Sequence, residues 1–302
     1  MNTSLSRSNF RDFGNFENFH IKIMSLTNES VVVITGAASG IGRALAIRLA
    51  REPIAGIAIS DVNEEGLAET ARMIDNPNLR VTMHKVNVAD EQEMRRFVDE
   101  VVAQHGRATH VINNAGVVLG GSVREVSLND IRWLMDINFW GVVYGTKLFL
   151  PILEKQKSAH IINLSSTYGF VAPPNQAAYA ASKFAVRGFT EALRHELEGT
   201  HIVVTVVHPG GIKTNVANNA RMGEGVTYSE EERRQRIEYF NKNMARTTPE
   251  TAAEIIIKGI KKPSPRIRIG SDAYLLDFLP RLFPRKYLAV ANFISGGKLK
   301  NH

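Results

Sequence analysis

The chain has 302 residues, 44% hydrophobic and 22% charged, a balance that excludes intrinsic disorder and indicates a globular protein. The absence of cysteine excludes disulfides, cysteine-ligated metals and thiol nucleophiles, and it agrees with a cytoplasmic location. The net charge of +7 is concentrated near the C-terminus, where residues 258–300 hold ten Lys or Arg against two acids. The basic C-terminal segment, residues 258–302, is therefore either a solvated surface or a contact for an anionic membrane or an acidic carrier. No nucleic-acid partner is expected, because no aromatic residues that could stack on bases alternate with these basic ones.

The first 26 residues differ in composition from the rest, being rich in Asn, Ser and Phe. They lack the apolar stretch of a secretory signal, and we expect a disordered extension or a docking arm. No linker or internal repeat interrupts residues 27–302, which predicts a single domain there.

From the first apolar run onward, strand-like and helix-like stretches alternate. The strands are expected at residues 31–34, 57–60, 81–88, 110–113, 160–164, 201–207 and 266–269. Near-continuous apolar strands separated by helices predict an α/β fold, a doubly wound parallel sheet with helices on both faces.

A glycine-rich turn follows the first strand directly and opens the first helix. Glycine at these positions allows a tight turn, close approach of a pyrophosphate and close packing of helix on strand. The anion would lie at the helix N-terminus, facing free N–H groups. The turn therefore predicts a dinucleotide site, with contacts expected at Gly36, Ser39, Gly40, Ile41 and Gly42.

Asp61 ends the second strand, where a carboxylate can accept hydrogen bonds from the adenosine ribose and repel a 2′-phosphate. NAD is thus favoured, while Arg43 near the adenosine end leaves NADP possible. An alternative is that Asp61 merely caps the helix after Asn63. None of the nine histidines shows a zinc-site spacing, so no metal is expected.

Tyr179 and Lys183 are four residues apart in a helical stretch, which places a phenol and an ammonium on one face. A nearby cation is expected to lower the phenol pKa toward the range useful for proton transfer. Ser166 follows the strand at 160–164, and residues 113–116 follow another strand in the same way.

Together these motifs resemble the short-chain dehydrogenase/reductase family over about residues 31–214. The resemblance rests on residues 35–42 and 113–116, and on Asn138, Ser166, Tyr179, Lys183, Pro209, Gly210 and Thr214. It implies a single-domain Rossmann fold, hydride transfer between a nicotinamide and an alcohol or ketone, and a homodimer or homotetramer.

The resemblance also implies roles for the four polar residues. Tyr179 would be the general acid/base, and Ser166 would hydrogen-bond the substrate oxygen. Lys183 would hold the nicotinamide ribose and lower the pKa of Tyr179, while Asn138 would anchor a water that relays protons to Lys183.

The family pattern further implies cofactor contacts along the sheet edge. Ser39 and Val62 are neutral where NADP-using relatives often carry a basic residue, which again favours NAD. Asn87 departs from the usual Asp before Val88, beside the adenine. The remaining contacts are expected at Asn87, Val88, Asn114, Ala115, Gly116, Tyr179, Lys183, Pro209, Gly210, Ile212 and Thr214.

The substrate is expected to be a lipophilic secondary alcohol or ketone. Residues 215–246 are long for a loop and suggest a lid over the substrate region. An apolar wall is expected from Val117, Val118, Leu119, Tyr168, Phe170 and Val171. Two alternatives remain: an NADP-linked 3-oxoacyl thioester reductase, and a non-catalytic scaffold that senses nucleotides or docks on membranes. The complete set of polar residues argues against the scaffold.

Overall fold

The computed structural model describes residues 26–216 and 219–294. The predicted disorder of residues 1–26 therefore falls outside the described residues, apart from the buried Leu26. The same holds for residues 295–302 of the basic C-terminal segment.

The described residues form nine strands, seven of which make one parallel sheet in the order β3-β2-β1-β4-β6-β7-β9. The other two, β5 and β8, pair with each other. The strands are β1 Val31–Thr35, β2 Gly56–Asp61, β3 Arg80–Lys85, β4 His110–Asn113, β5 Leu119–Gly120, β6 Ala159–Leu164, β7 Ile202–Pro209, β8 Arg221–Met222 and β9 Arg266–Ile269.

Helices connect successive strands of the large sheet, and two more follow its last strand, β9. They are α1 Gly40–Leu49, α2 Glu64–Arg72, α3 Glu91–His105, α4 Leu128–Met135, α5 Gly141–Leu153, α6 Ala177–Glu196, α7 Glu230–Tyr239, α8 Pro249–Lys261, α9 Ser271–Leu282 and α10 Tyr287–Ile294. Two π-helical turns, Asp136–Trp140 and Phe240–Met244, and a 3₁₀ turn, Thr167–Gly169, complete the regular structure.

Alternate residues of each strand point to opposite faces, and each face has its own core. Ile34 of β1 packs in a cluster with Leu45 of α1 and Ile256 of α8. Val33, one residue earlier, packs on the other face with Phe97 of α3 and Phe149 of α5. The predicted α/β doubly wound parallel sheet is therefore confirmed.

The third strand is shorter than predicted, ending at Lys85 rather than at residue 88. Val86 and Val88 are apolar because they are buried in the second core, without continuing the strand pairing. Periodicity alone does not distinguish these two causes of an apolar run.

The connection order reverses between β1 and β4, because β2 and β3 lie on one side of β1 and all later strands on the other. In open sheets of this kind, ligands bind in the crevice at the carboxyl ends of the strands beside the reversal. The residues that follow β1, β4, β6 and β7 therefore face one crevice. Within the described ranges, no helix is long and apolar enough to cross a membrane.

Candidate active site

The turn between β1 and α1 has the shape expected of an anion cradle. Gly36 and Gly40 have positive φ angles of 68° and 54°, which residues with a Cβ adopt only with strain. A Cβ on Gly42 would overlap the carbonyl oxygen of Gly36, so this helix approaches its own turn as closely as backbone allows. The N-terminus of α1 opens toward the crevice with the exposed Ser39 as its cap residue, and it suits a diphosphate.

The turns after β1 and β4 are tied together by hydrogen bonds. The hydroxyl oxygen of Thr35 accepts the N–H groups of Asn114 (3.0 Å) and Ala115 (3.1 Å). The Asn114 amide donates to the carbonyls of Thr35 (2.9 Å) and Gly36 (3.0 Å). The Asn114 side chain thus shapes the crevice floor, and Thr35 is a structural residue to which the sequence reasoning gave no role.

The carboxylate of Asp61 is fixed at the adenosine end of the crevice. Its Oδ2 accepts the Ala38 N–H and its Oδ1 accepts the Asn63 N–H, each at 3.1 Å. Asn63 itself caps α2 by accepting the Gly66 N–H at 3.0 Å. The alternative that Asp61 caps this helix is therefore wrong.

Arg43 is held in place by acceptors of its own chain. Its guanidinium pairs with the Glu69 carboxylate at 2.6 Å and donates to the Thr70 hydroxyl at 3.1 Å. It also donates to the carbonyl of Ala38. A 2′-phosphate would have to compete with Glu69 for this guanidinium.

Asn87 and Val88 follow β3 on the same side of the sheet. The Asn87 side chain accepts the Ala89 N–H at 3.1 Å, and its own N–H donates to Glu93 at 2.7 Å. Val88 packs against Gly141, where a Cβ would lie 2.9 Å from the Val88 side chain. These contacts fix the loop expected beside the adenine.

Helix α6 brings Tyr179 and Lys183 together with Ser166, which lies just after β6. The Lys183 ammonium is 5.8 Å from the centre of the Tyr179 ring. It donates to the Leu164 carbonyl at 3.2 Å, and the Lys183 residue is only 5% exposed. The Ser166 hydroxyl accepts the Tyr168 N–H at 3.2 Å, which caps the 3₁₀ turn.

Burial controls the charges of this cluster. It raises the pKa of Tyr179, against the lowering effect of a hydrogen bond with Ser166. It also lowers the pKa of Lys183 to about 8. The expected lowering of the Tyr179 pKa is thus wrong in direction, because removing the phenolate from water costs more than its neighbours return.

Asn138 lies on the π-helical turn and is fully buried. Its Oδ1 accepts the Val117 N–H at 2.8 Å, and its Nδ2 donates to the Val117 carbonyl at 2.9 Å and the Ser182 hydroxyl at 3.1 Å. Gly116 separates it from Lys183: a Cβ there would lie 3.2 Å from Asn138 Oδ1 and 3.3 Å from Lys183 Nζ. Asn138 is therefore next to the cluster, and Ser182 is a supporting residue that the sequence reasoning left without a role.

The turn after β7 closes the nicotinamide end of the crevice. Pro209 ends β7, and the Gly210 N–H donates to the Ile269 carbonyl at 2.9 Å. The Thr214 side chain lies 3.2 Å from the position of a Cβ on Gly40, so this turn meets the phosphate turn. The Ile212 backbone forms a β-bridge with Thr247. The Ile212 residue is only 5% exposed, so its side chain is part of the core packing.

Asp272, near the start of α9, anchors the same turn. Its Oδ2 accepts the Gly211 N–H at 2.9 Å, and its carboxylate fills the space that a side chain on Gly210 would need. No local motif links Asp272 to residues some sixty positions earlier, so the sequence carried no signal for this contact.

A family model described as short chain dehydrogenase matches residues 30–225. The chain belongs to this family. It is 44% identical over 266 residues to SadH of Mycobacterium tuberculosis, an oxidoreductase by name, covering 87% of this chain and 94% of that protein. It is 30% identical over 290 residues to dehydrogenase/reductase SDR family member 7B of Xenopus laevis, covering 90% and 87% of the two chains.

Solved structures of short-chain dehydrogenases share the fold. One from Burkholderia phymatum, in complex with NAD, has a TM-score of 0.75 at 25% identity and covers 93% of this chain and 98% of its own. One from Mycobacterium paratuberculosis, bound to NAD, has a TM-score of 0.70 at 26% identity, with 83% and 99% covered. The protein is therefore an oxidoreductase of the short-chain dehydrogenase family.

The substrate side of this short-chain dehydrogenase is only partly the apolar wall expected. Tyr168 meets the Tyr179 ring edge-on at 5.8 Å, and burial raises the pKa of Tyr168 to about 12. Phe170, in contrast, stacks on His208 at 3.9 Å and is 6% exposed. Its ring is committed to packing, so the expectation that Phe170 faces substrate is not supported.

The suggested lid, residues 215–246, contains β8 and α7. β8 pairs with β5, and the Arg221 guanidinium reaches the buried Asp130 at 2.8 Å, which fixes the start of this segment. Ser229 and Glu232 form the capping box that begins α7. Movement of this segment over substrate stays a prediction.

Proposed function

We propose that the protein oxidises a lipophilic secondary alcohol, or reduces the matching ketone, with NAD as cofactor and Tyr179 as general acid/base. The observation that carries the proposal is the joint placement of Ser166, Tyr179 and Lys183 beside the crevice of a dinucleotide-binding sheet. When bound, NAD would supply the acceptor for the hydride that leaves the substrate carbon.

The fit of a dinucleotide rests on residues of this chain. The positive φ angles of Gly36 and Gly40 give the turn before α1 the backbone shape that holds a diphosphate at a helix N-terminus. The Asp61 carboxylate, fixed by the Ala38 N–H, would accept hydrogen bonds from the ribose. Arg43 is paired with Glu69, which supports NAD over NADP. Two solved relatives are bound to NAD, which supports a nicotinamide cofactor.

The protein's own groups provide the proton chemistry. During oxidation the Tyr179 phenolate takes the proton of the substrate hydroxyl, and during reduction the Tyr179 phenol donates that proton to the substrate oxygen. Ser166 donates a hydrogen bond to the substrate oxygen, and Lys183 holds the ribose and favours the phenolate. Asn138, positioned by Val117 and Ser182, supports the proton path from Lys183.

Tyr179→Phe tests the proposal directly. Removing the proton-transferring oxygen should lower kcat by about 10²- to 10⁴-fold with NAD and a panel of lipophilic secondary alcohols. The Kd for NADH should stay within about twofold, since the hydroxyl supplies little of the binding surface. Tyr144→Phe is the matched control: Tyr144 lies on α5 with its ring tilted against that of Trp140 at 5.8 Å, and among the described residues no hydrogen bond or ring contact joins it to Ser166, Tyr179 or Lys183. Parental turnover in Tyr179→Phe would refute the assignment.

Three further expectations stay predictions: a homodimer or homotetramer, a cytoplasmic location, and contact of the basic C-terminal segment with a membrane or carrier. Half of the eight Lys and Arg in residues 258–294 are ion-paired. Arg266, Arg268 and Arg281 all bond the Asp277 carboxylate, and Lys261 pairs with Glu52 at 2.6 Å.

A further inference from the structure

A cleft of about 490 Å³ lies along the edge strand β9. Its walls come from the last turns of α6, from β9 and from α9. Four arginines line it against two carboxylates, an excess of two positive charges; these residues are Arg194, Arg266, Arg268, Arg281, Glu191 and Asp277.

Both carboxylates of the cleft are bonded to arginines. Asp277, 6% exposed, accepts hydrogen bonds from Arg281 at 2.7 Å, Arg266 at 3.0 Å and Arg268 at 3.1 Å. Glu191 accepts from Arg266 and, at 3.1 Å, from Arg187 outside the cleft. One negative charge shared by three guanidiniums leaves most of their charge uncompensated.

Two donors of the cleft have no acceptor. The Nε atoms of Arg194 and Arg268 are buried and lack a hydrogen-bond partner among the described residues. Arg194 also forms no ion pair with any carboxylate in residues 26–216 and 219–294. Because these Nε atoms are buried, a ligand in the cleft would meet the outer Nη groups of the guanidiniums. The charge of Arg194 is left without a compensating carboxylate among those residues.

The cleft is separate from the proposed active site. Arg194 lies 15 residues after Tyr179 on the same helix, which places the two about 22 Å apart at 1.5 Å per residue. Arg266 begins β9, whereas the crevice lies beyond the carboxyl end of that strand at Ile269. A ligand in the cleft would therefore not occupy the cofactor crevice.

We propose that this cleft binds a phosphate dianion, free or as the monoester of a small molecule, through the guanidiniums of Arg194 and Arg268. A guanidinium presents N–H donors in a planar fork that matches phosphate oxygens. A phosphomonoester carries about −1.5 to −2 charges at neutral pH, which matches the excess of the cleft. Phe278, 55% exposed on the same wall, offers an apolar surface to the organic part of a monoester.

Calorimetric titration of the full chain with inorganic phosphate tests this proposal, with chloride at equal ionic strength as the reference. Arg194→Gln should weaken phosphate binding about tenfold, because it removes a charge-assisted hydrogen bond. Arg132→Gln is the matched control, since Arg132 is exposed on α4 and bonds only Asn129 among the described residues. Equal binding in Arg194→Gln and the parent, or no heat beyond that of chloride, would overturn the proposal.

A measurement on the unchanged chain guards against a misfolded variant. Phosphate should slow the modification of Arg194 by an arginine-specific dicarbonyl, measured by peptide mass spectrometry, and should leave the modification of Arg132 unchanged. If phosphate affects neither arginine, or both equally, the proposal is overturned. Phenyl phosphate then separates the sources: tighter binding than inorganic phosphate indicates a monoester packed on Phe278, and equal binding indicates free phosphate.

Discussion

Removing the charge of Asp61 should weaken the discrimination between NADH and NADPH. Its carboxylate is half-exposed, and both oxygens are fixed by backbone N–H groups, so it cannot turn away from a bound ribose. A 2′-phosphate would therefore meet a fixed negative charge.

The size of the effect follows from Coulomb's law. A single negative charge and a phosphate dianion about 5 Å apart repel by about 1.7 kcal/mol in a water-like dielectric. That corresponds to about a fifteenfold change in the ratio of the two dissociation constants. Asp61→Asn removes the charge and keeps one acceptor, whereas Asp61→Ala also loses both backbone hydrogen bonds.

The assay is a fluorescence titration of each variant with NADH and, separately, NADPH. Both variants should reduce the preference for NADH over NADPH about fifteenfold, and Asp61→Ala should also unfold at lower urea concentration. Asp90→Ala is the control, because the Asp90 carboxylate accepts two backbone N–H groups at 2.8 and 2.9 Å at the start of α3. An unchanged preference in Asp61→Asn and Asp61→Ala would refute the reasoning, as would a parent protein that prefers NADPH.

Three other results are expected. Asp272→Ala should weaken NADH binding about fivefold, because the Gly211 N–H loses its acceptor, whereas Asp272→Asn keeps an acceptor oxygen. Equal NADH affinities of Asp272→Ala and the parent in fluorescence titration would contradict this role. Asn138→Ala should lower the free energy of unfolding in urea by about 2–4 kcal/mol, because Val117 and Ser182 lose their hydrogen bonds to the buried Asn138 side chain. A change below about 0.5 kcal/mol would contradict this role of Asn138. Burial lowers the pKa of His110 to about 4 from 6.5, so the unfolded chain binds the proton first as the pH falls. Stability should then drop by up to about 3 kcal/mol between pH 6.5 and 4, and urea unfolding across that range should show a smaller drop in His110→Gln.

Features set by local spacing could be predicted from the sequence. The glycine turn needs only a strand, a helix and three residues without side chains, and Gly36, Gly40 and Gly42 meet that need within seven positions. Tyr179 and Lys183 share a helix face because four residues make about one turn. Alternation of apolar strands with helices likewise implies a parallel sheet, whatever the details of packing.

Features that depend on how far a group is withdrawn from water could not be predicted in this way. The direction of the Tyr179 pKa shift was wrong because the sequence shows the neighbouring cation and not the burial of the phenol, which outweighs the hydrogen bond with Ser166. The ion pairs of the basic C-terminal segment could not be predicted for a similar reason. Asp277 takes up three arginines only once α9 packs beside β9.

The sequence by itself determined the α/β fold class, the phosphate turn and the membership of the polar cluster, because each depends on residues close together in the chain or on a regular period. Only the tertiary structure decided that Asp272 anchors the nicotinamide turn, that Glu69 occupies Arg43, and that an arginine cleft lies along β9. Those contacts join residues far apart in the chain, and their strength depends on distance and burial, which exist only after folding.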